Sequence, residues 1–335
     1  MSLRKVLIEP AKDVTNVIVG DKEDGNLQLK FTPKVPGAYS IEVKINGDKL
    51  PTCPFTVQVK ERELVVVGKL ELEVFPGDGI RRFCGIAVNT EGKIVVTDND
   101  GHYVYVFERD GNCLRKLGSK GANSGQFNHP TAVSFLNKNE ILIADQCNHR
   151  IQHINIQTGT VVKSFGKNGS GKGEFKNPVD VSLDDEGRIV VTERLGHRIQ
   201  VLSRDGETLS IFGDNNPEKL RNPVSCIPYQ KKFLVTDGGS NCIKVFDQSG
   251  TFLYKFGKQG NRDGQFNWPQ GIVLDSSNNL LACDYFNNRV QQFSLDGRFT
   301  GKTITDLPCP VRITTAPDGR ILVTSLTAKK IYLLK

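Results

Sequence analysis

The chain has 335 residues, 38% of them hydrophobic, and a formal net charge of +7. No apolar run approaches the roughly 20 residues of a membrane-spanning helix, and the N-terminal residues lack a signal peptide's apolar stretch, so we expect a cytoplasmic protein with no membrane contact. The eight cysteines include no CxxC pair, which argues against a zinc site or a disulfide framework. The positive charge is spread along the chain and by itself favours a polyanionic partner only weakly.

Residues 1–60 predict a small β-sandwich. Apolar and polar residues alternate with a period of two on both sides of a turn at Ile45, Asn46 and Gly47. This alternation is typical of antiparallel strands that bury one face. We therefore expect a separate module at the start of the chain.

From residue 61 onwards the sequence is built from repeats. A segment resembling DQCNHRIQ recurs at nearly even spacing, at residues 97–107, 144–154, 192–202, 236–246, 283–293 and 324–334. Around each copy, short β-branched and aromatic runs are separated by Gly, Asn and Asp turns, which predicts four strands per repeat. A period of about 40–50 residues with four strands is typical of a β-propeller blade. Six innermost strands are predicted, beginning near Gly85, Ala132, Asp180, Ser225, Gly271 and Arg312.

The sixth repeat lacks a fourth strand, because Lys335 follows directly on its third. The run of residues 64–75 precedes the first repeat and ends in a Gly-rich turn, as the fourth strands of other repeats do. We predict that this run completes the last blade and so removes the exposed sheet edges of an open array. The expected architecture is all-β, with a sandwich over residues 1–60 and a closed six-bladed propeller over residues 61–335.

Both parts of the chain resemble known families. The repeats resemble NHL repeats, most closely from Asp145 to Gln152 and from Gly196 to Val201. The N-terminal module resembles a filamin-type immunoglobulin-like repeat through Asp24-Gly25, the segment from Phe31 to Gly37 and the segment from Pro51 to Phe55. A filamin repeat directly before six NHL repeats is the C-terminal arrangement of tripartite-motif NHL proteins of the Lin-41 type.

The resemblance also implies features that this sequence does not contain. A complete filamin repeat has further strands before its first run, so we expect the sandwich to be partial. The RING, B-box and coiled coil of the family are not found in the 335 residues. We therefore expect no ligase chemistry, and no other enzyme activity, in the chain itself.

The candidate site lies on the propeller face where the loops from fourth to first strand meet those from second to third strand. Variable positions on this face carry Arg with interleaved Trp, Tyr and His, which suits RNA because cations contact phosphates and planar rings stack on unpaired bases. Lin-41-type and Brat-type NHL propellers bind RNA on this face, so the resemblance implies the same use. The candidate residues are Arg82, His129, Arg150, Arg194, Arg198, Trp268, Tyr285, Arg289 and Arg312.

The predicted function is recognition of a short structured RNA element, such as an mRNA stem-loop, for post-transcriptional repression. Some candidates have a structural alternative. Arg150, Arg198 and Arg289 each follow an Asp or Glu at a fixed offset and could form ion pairs inside their blades. Arg312 begins an innermost strand and could balance the charge of Asp180 across the channel.

Two other functions compete with RNA binding. A metal site like those of six-bladed lyases would use His102, His149 and His197, but the repeat itself generates their spacing and their neighbours are Tyr or Arg, so we expect no metal and no cofactor. The stronger alternative is a propeller that binds protein partners of a ubiquitin ligase. It is favoured by carboxylates that would dilute the positive charge of the same face, namely Asp100, Asp180, Glu193 and Asp237.

Overall fold

The computed structural model describes residues 4–21, 27–33, 37–59, 64–214 and 218–335. The chain divides into two compact units, Met1–Glu63 and Leu64–Lys335. Of the filamin-like motifs, Asp24-Gly25 and the middle of the Phe31 to Gly37 segment lie outside the described residues.

The described part of the first unit is a sandwich of two sheets. Its strands are Arg4–Glu9, Val14–Asp21, Leu27–Pro33, Gly37–Ile45, Asp48–Lys49 and Phe55–Val59, with a short 3-10 helix at Ala11–Asp13. Gly37–Ile45 pairs with Arg4–Glu9, Asp48–Lys49 and Phe55–Val59, whereas Val14–Asp21 and Leu27–Pro33 form the second sheet. The buried residues Ile8, Tyr39, Ile41 and Val43 form the core, as the period-two alternation predicts.

The second unit consists of six four-stranded antiparallel sheets. We number these blades 1 to 6 along the chain and letter their strands a to d from the channel axis outward. Strands a to d are Phe83–Val88, Ile94–Asp98, Tyr103–Phe107 and Cys113–Leu117 in blade 1; Pro130–Phe135, Glu140–Asp145, Arg150–Asn155 and Val161–Phe165 in blade 2; and Pro178–Leu183, Ile189–Glu193, Arg198–Leu202 and Thr208–Phe212 in blade 3. They are Pro223–Tyr229, Lys232–Asp237, Cys242–Asp247 and Phe252–Phe256 in blade 4; Pro269–Leu274, Leu280–Asp284, Arg289–Phe293 and Phe299–Ile304 in blade 5; and Pro310–Thr315, Ile321–Ser325, Lys330–Leu334 and Val66–Leu70 in blade 6.

Strand d of blade 6 comes from the start of the propeller unit. Val66–Leu70 pairs antiparallel with Lys330–Leu334, and Val65 and Lys335 exchange backbone hydrogen bonds of 3.2 and 3.1 Å next to this pairing. The pairing strand is shorter than the run of residues 64–75, because the chain turns away after Leu70 toward blade 1. The first and last parts of the propeller unit are thereby joined in one sheet.

Each a strand begins two residues earlier than its predicted start, for example at Pro130 instead of Ala132. Pro130 pairs with Asp145, and the register then shifts before Val133 pairs with Ile143. The same irregularity follows the first residue of every a strand. It lets the strand approach the axis while its first residue stays paired with the end of strand b.

Close packing of the a strands explains a glycine near the axis. A Cβ atom at Gly85 would lie 2.4 Å from the carbonyl oxygen of Thr131 in blade 2. This separation is far below contact distance, so a side chain does not fit there. Three 3-10 helices occupy b–c loops, at Gln146–Asn148, Gly238–Ser240 and Tyr285–Asn287.

Candidate functional site

A buried carboxylate at the end of strand b fixes each d–a loop of blades 1 to 5. In blade 2, Asp145 Oδ1 accepts a hydrogen bond from Asn128 N at 2.7 Å, and Oδ2 accepts from Asn148 Nδ2 and Arg150 Nε at 2.8 Å each. The equivalent carboxylates, all fully buried, are Asp98, Glu193, Asp237 and Asp284. The recurring acid therefore holds the loops of the candidate face in place.

Three of the predicted arginines belong to this internal network. Arg150, Arg198 and Arg289 donate through Nε to the carboxylate of their own blade at 2.8, 2.6 and 2.8 Å. Their remaining N–H groups donate to main-chain carbonyls of the d–a loop, such as Gln126 O for Arg150. These three guanidinium groups therefore form the ion pairs that the sequence offers as their alternative, and the RNA contact surface that we propose does not include them.

A second contact joins the b–c loops of blades 1 to 5 to the following blade. His102, His149 and His197 adopt left-handed backbone conformations, and each Nδ1 accepts from a backbone N–H of the following d–a loop, at 3.1, 3.2 and 3.0 Å. Asn241 and Asn288 do the same with Oδ1, at 2.7 and 2.8 Å. The evenly spaced histidines are therefore explained by contacts between blades.

This contact predicts a pH-dependent stability. His102 is 8% exposed, and burial, with a further effect from His129, lowers its pKa below the usual 6.5. The unfolded chain therefore binds the proton first as the pH falls, so the free energy of unfolding should decrease from pH 7.5 to pH 5.5. His102→Asn supplies the acceptor found in blades 4 and 5 and should reduce this dependence in urea titrations. An unchanged pH dependence in the variant would exclude His102 as the source.

The channel opens on this face in a cavity of about 610 Å³, which we call the mouth cavity. Six of the nine predicted residues line it, namely Arg82, His129, Arg194, Trp268, Tyr285 and Arg312. The other lining residues are Cys84, Asn99, Thr131, Gln146, Cys147, Val179, Val224, Gln270, Phe286, Val311 and Leu326. Among these described residues there are three arginines and no carboxylate.

Arg82 and His129 lie on the side of the mouth cavity formed by blades 1 and 2. Arg82 Nη1 is 3.4 Å from Asp100 Oδ1, and both side chains are more than 40% exposed. His129 Nδ1 lies 3.2 Å from Asn99 Oδ1, and its ring meets the His102 ring edge-on at 4.6 Å between centroids. An exposed ion pair of this kind is worth at most about 1 kcal/mol, so Arg82 is free to exchange Asp100 for a ligand anion.

Arg194 and Trp268 meet on the opposite side of the mouth cavity. The Arg194 guanidinium lies 5.4 Å from the centroid of the Trp268 ring, within range of a cation–π contact. Burial, and then the charge of Arg312, lower the pKa of Arg194. Two neighbouring cations in a partly buried site favour an anion between them, because it would relieve their repulsion.

Tyr285 carries a second aromatic surface beside this pair. Its ring meets that of Phe286 at 4.8 Å in an edge-on contact, and Phe286 is 58% exposed. Burial raises the pKa of Tyr285, so the phenol stays protonated and remains a hydrogen-bond donor. Phe286 was missed at the sequence level, although it follows Tyr285 in the same variable loop.

Arg312 forms the bottom of the mouth cavity. It is 7% exposed and donates through Nη2 to Val179 O at 2.5 Å and through Nη1 to Val224 O at 3.3 Å. Its Nη2 is also 4.0 Å from Asp180 Oδ1, on the far side of the channel. This side chain separates the mouth cavity from a second channel cavity of about 290 Å³. Arg312 thus supplies positive charge from below the mouth cavity. Two of its N–H groups are already used in hydrogen bonds to the carbonyl oxygens of Val179 and Val224.

Sequence reasoning also missed a set of exposed cations outside the mouth cavity. Arg81, Lys176 and Arg221 occupy equivalent positions, where their backbone N–H groups donate to the buried carboxylates of blades 1, 3 and 4. All three side chains are exposed. A sequence signal was available for Arg81, because it directly precedes the candidate residue Arg82.

Two features are absent from residues 4–21, 27–33, 37–59, 64–214 and 218–335. Within these ranges no three His, Cys, Asp or Glu side chains are grouped to hold a metal ion. Over the same residues, no helix has the length and apolar character needed to cross a bilayer.

Family models match three parts of the chain. A Filamin/ABP280 repeat model matches residues 3–56, an NHL repeat model matches residues 127–154, and a model described as a 6-bladed beta-propeller matches residues 220–322. Together with the sheets described above, these matches confirm the predicted all-β architecture.

Several relatives align over about a third of the chain. Protein lin-41 of Caenorhabditis elegans is 29% identical over 117 residues, which are 33% of this chain and 10% of that protein. E3 ubiquitin-protein ligase TRIM71 of Rattus norvegicus is 30% identical over 116 residues, 33% of this chain and 14% of that protein. Protein brain tumor of Drosophila melanogaster is 29% identical over 107 residues, which are 31% of this chain and 10% of that protein. The chain thus matches only a small share of each relative's length.

Solved structures share the fold at low identity. A virginiamycin B lyase from Staphylococcus aureus superposes with a TM-score of 0.58 at 14% identity, covering 100% of this chain and 99% of that one. A protein of unknown function from Bacteroides thetaiotaomicron superposes with a TM-score of 0.66 at 15% identity. The match covers 99% of this chain and 90% of that chain. At such identities the likeness shows the fold alone. The filamin and NHL matches, with the lin-41 and TRIM71 relatives, confirm the resemblance of the chain to the tripartite-motif NHL family.

Proposed function

We propose that the mouth cavity binds RNA. The observation that carries the proposal is its composition: three arginines, four flat rings and several amides, with no carboxylate among the described lining residues. Its volume of about 610 Å³ lies within the usual range of roughly 300–1,000 Å³ for ligand pockets.

Each type of group has a role in this proposal. Trp268, Tyr285 and Phe286 offer rings on which unpaired bases can stack. Arg82 and Arg194 contact phosphates, and the amides of Gln146 and Gln270 contact base edges. The bound element is then a loop or bulge whose bases are splayed out, as in an mRNA stem-loop.

The acidic residues near this face oppose RNA less than their number implies. Glu193 and Asp237 are fully buried and lie 2.6 Å from Arg198 Nε and 2.9 Å from Lys244 Nζ. Asp180 is buried below the mouth cavity beside Arg312. Of the four predicted carboxylates, only Asp100 has a side chain that is substantially exposed, at 45%. Three arginines of the mouth cavity therefore face a single exposed carboxylate.

By extension, the protein would act in the cytoplasm on messenger RNA and repress it after transcription. This extension follows the resemblance to Lin-41-type propellers. It requires that the RNA bound by the mouth cavity be an element of a transcript.

Selection from a random RNA pool tests the proposal. The chain should enrich stem-loop sequences at moderate salt, and swapping base pairs within the stem of a winner should matter less than scrambling the stem. Affinity should fall steeply with salt, because bound phosphates release counterions. An absence of enrichment at moderate salt would contradict RNA binding.

One observation favours the alternative, a protein-binding propeller. Phe286 and Leu195 lie in b–c loops of the candidate face, and their exposed fractions are 58% and 56%. Exposed apolar side chains on one face can anchor a peptide. A pool that yields no RNA, together with a partner whose binding is lost in Phe286→Ser and Leu195→Ser, would favour this function.

A further inference from the structure

Blade 4 departs from the internal network of its neighbours. In blades 2, 3 and 5, the first residue of strand c is Arg and the third is Gln, as at Arg150 and Gln152 of blade 2. Blade 4 has Cys242 and Lys244 at these two positions. The guanidinium that fills the space below the d–a loop in the other three blades is therefore missing here.

Lys244 makes contacts like those of the missing Arg side chain, but it does not fill the space that this side chain occupies in the other blades. Its Nζ lies 2.9 Å from Asp237 Oδ2 and donates to Glu218 O and Lys219 O at 3.2 and 2.8 Å. The side chain of Cys242 is much shorter than that of Arg. A cavity of about 420 Å³ remains beside these residues, which we call the blade 4 pocket.

The blade 4 pocket is strongly cationic. Five of its lining side chains are basic, namely Lys219, Arg221, Lys244, Lys255 and Lys258, and Glu218 is the single acid among the described lining residues. Lys255 is paired with Glu218, at 3.0 and 2.9 Å from its two carboxylate oxygens. Lys219, Arg221 and Lys258 are exposed and form no side-chain ion pair with any described residue.

Cys242 contributes no charge to the pocket. Burial, with a further effect from Asp237, raises the pKa of the Cys242 thiol to about 11. The thiol is therefore protonated at neutral pH and lines the pocket as an uncharged group. The chemistry of the pocket is that of free ammonium and guanidinium groups, which bind phosphate.

A bare loop separates the blade 4 pocket from the mouth cavity. Gly238 and Gly239 lie between Ser240, which lines the pocket, and Trp268, which lines the mouth. A Cβ at Gly239 would lie 2.6 Å from Arg221 O, and one at Gly238 would lie 3.4 Å from Trp268 Cε2. Gly238 is buried, and a Cβ at either glycine would point into these packed neighbours. The loop therefore adds no side chain to the surface between the two cavities, and we take this surface as the path of a polynucleotide strand from one cavity to the other.

We propose that the blade 4 pocket is an outer phosphate subsite, which holds a backbone phosphate of the RNA strand that leaves the mouth cavity past Trp268. This proposal rests on the RNA-binding function proposed above. It assigns a function to the b–c loop of blade 4, which contains no charged and no aromatic side chain. Strand polarity and base identity play no part in such a contact, because only the phosphate is bound.

Two variants test the subsite with a winning RNA from the selection. Lys219→Ala/Arg221→Ala/Lys258→Ala removes the free cations. Cys242→Arg/Lys244→Gln restores the pattern of blade 2 and fills the pocket without changing the net charge. The control for the first is Lys138→Ala/Lys231→Ala/Arg298→Ala, which removes the same charge from turns at the other end of the propeller.

Both test variants should lower the slope of log affinity against log salt by about 0.7, the value for one single-stranded phosphate, and weaken binding about fivefold at 0.1 M salt. The control should leave the slope unchanged. Thermal melting shows whether each variant is folded. Slopes equal to that of the unchanged chain in both test variants would overturn the subsite while leaving the mouth cavity intact. If the unchanged chain binds no RNA, the proposed function fails and the subsite fails with it.

Discussion

Replacing Asp145 by Ala is expected to lower the free energy of unfolding of the propeller by about 3–5 kcal/mol, the usual cost of removing one partner of a buried ion pair. Asp145 is fully buried and accepts hydrogen bonds from Asn128 N, Asn148 Nδ2 and Arg150 Nε. The substitution leaves these donors without their acceptor in a site that water does not reach. Urea titration followed by fluorescence measures the effect, since the chain's one tryptophan, Trp268, lies in the propeller.

A matched control is Asp205→Ala. Asp205 is 87% exposed and pairs with Lys163 at 3.2 Å on the surface. Its loss should cost less than about 1 kcal/mol. Equal effects of the two substitutions would contradict the view that the buried carboxylates hold the loops of the candidate face.

The largest expected effect on binding comes from Arg82→Ala/Arg194→Ala/Trp268→Ala/Tyr285→Ala. RNA affinity should fall at least 100-fold. Base stacking on an aromatic ring contributes about 1–3 kcal/mol, so two rings lost together with two phosphate contacts exceed the roughly 2.8 kcal/mol that this factor requires. Fluorescence anisotropy of a labelled RNA measures the loss.

The control for this variant removes two cations from the other end of the propeller, in Arg204→Ala/Arg298→Ala. It should lower affinity only slightly, through the long-range field. Circular dichroism establishes that both variants are folded. Tight binding that survives in the fourfold variant would show that the RNA contacts a different surface.

The architecture was predictable because its signals are local and repeated. A turn of Gly, Asn or Asp after each apolar run marks a strand end, and the acid that ends strand b recurs in five blades because five loops require the same buried acceptor. The bulge at the start of each a strand was not predictable, since it depends on how closely neighbouring blades approach the axis.

The candidate site was predictable only in part. Arg194 and Arg198 are four residues apart, yet one faces the mouth cavity and the other lies inside blade 3. The fixed offset of Arg198 from Glu193 indicated the ion pair that the structure contains. For Arg312 the sequence indicated Asp180 across the channel, but not the carbonyl partners Val179 and Val224, which are distant in sequence and meet Arg312 only in the closed ring.

The central claim, that RNA occupies the mouth cavity, is tested most directly by the emission of Trp268. Titration with a selected stem-loop should quench this emission, and the curve should saturate at the same RNA concentration as anisotropy of the labelled RNA, because a base stacks on the ring. Anisotropy that reports full binding while Trp268 emission stays unchanged would contradict the claim.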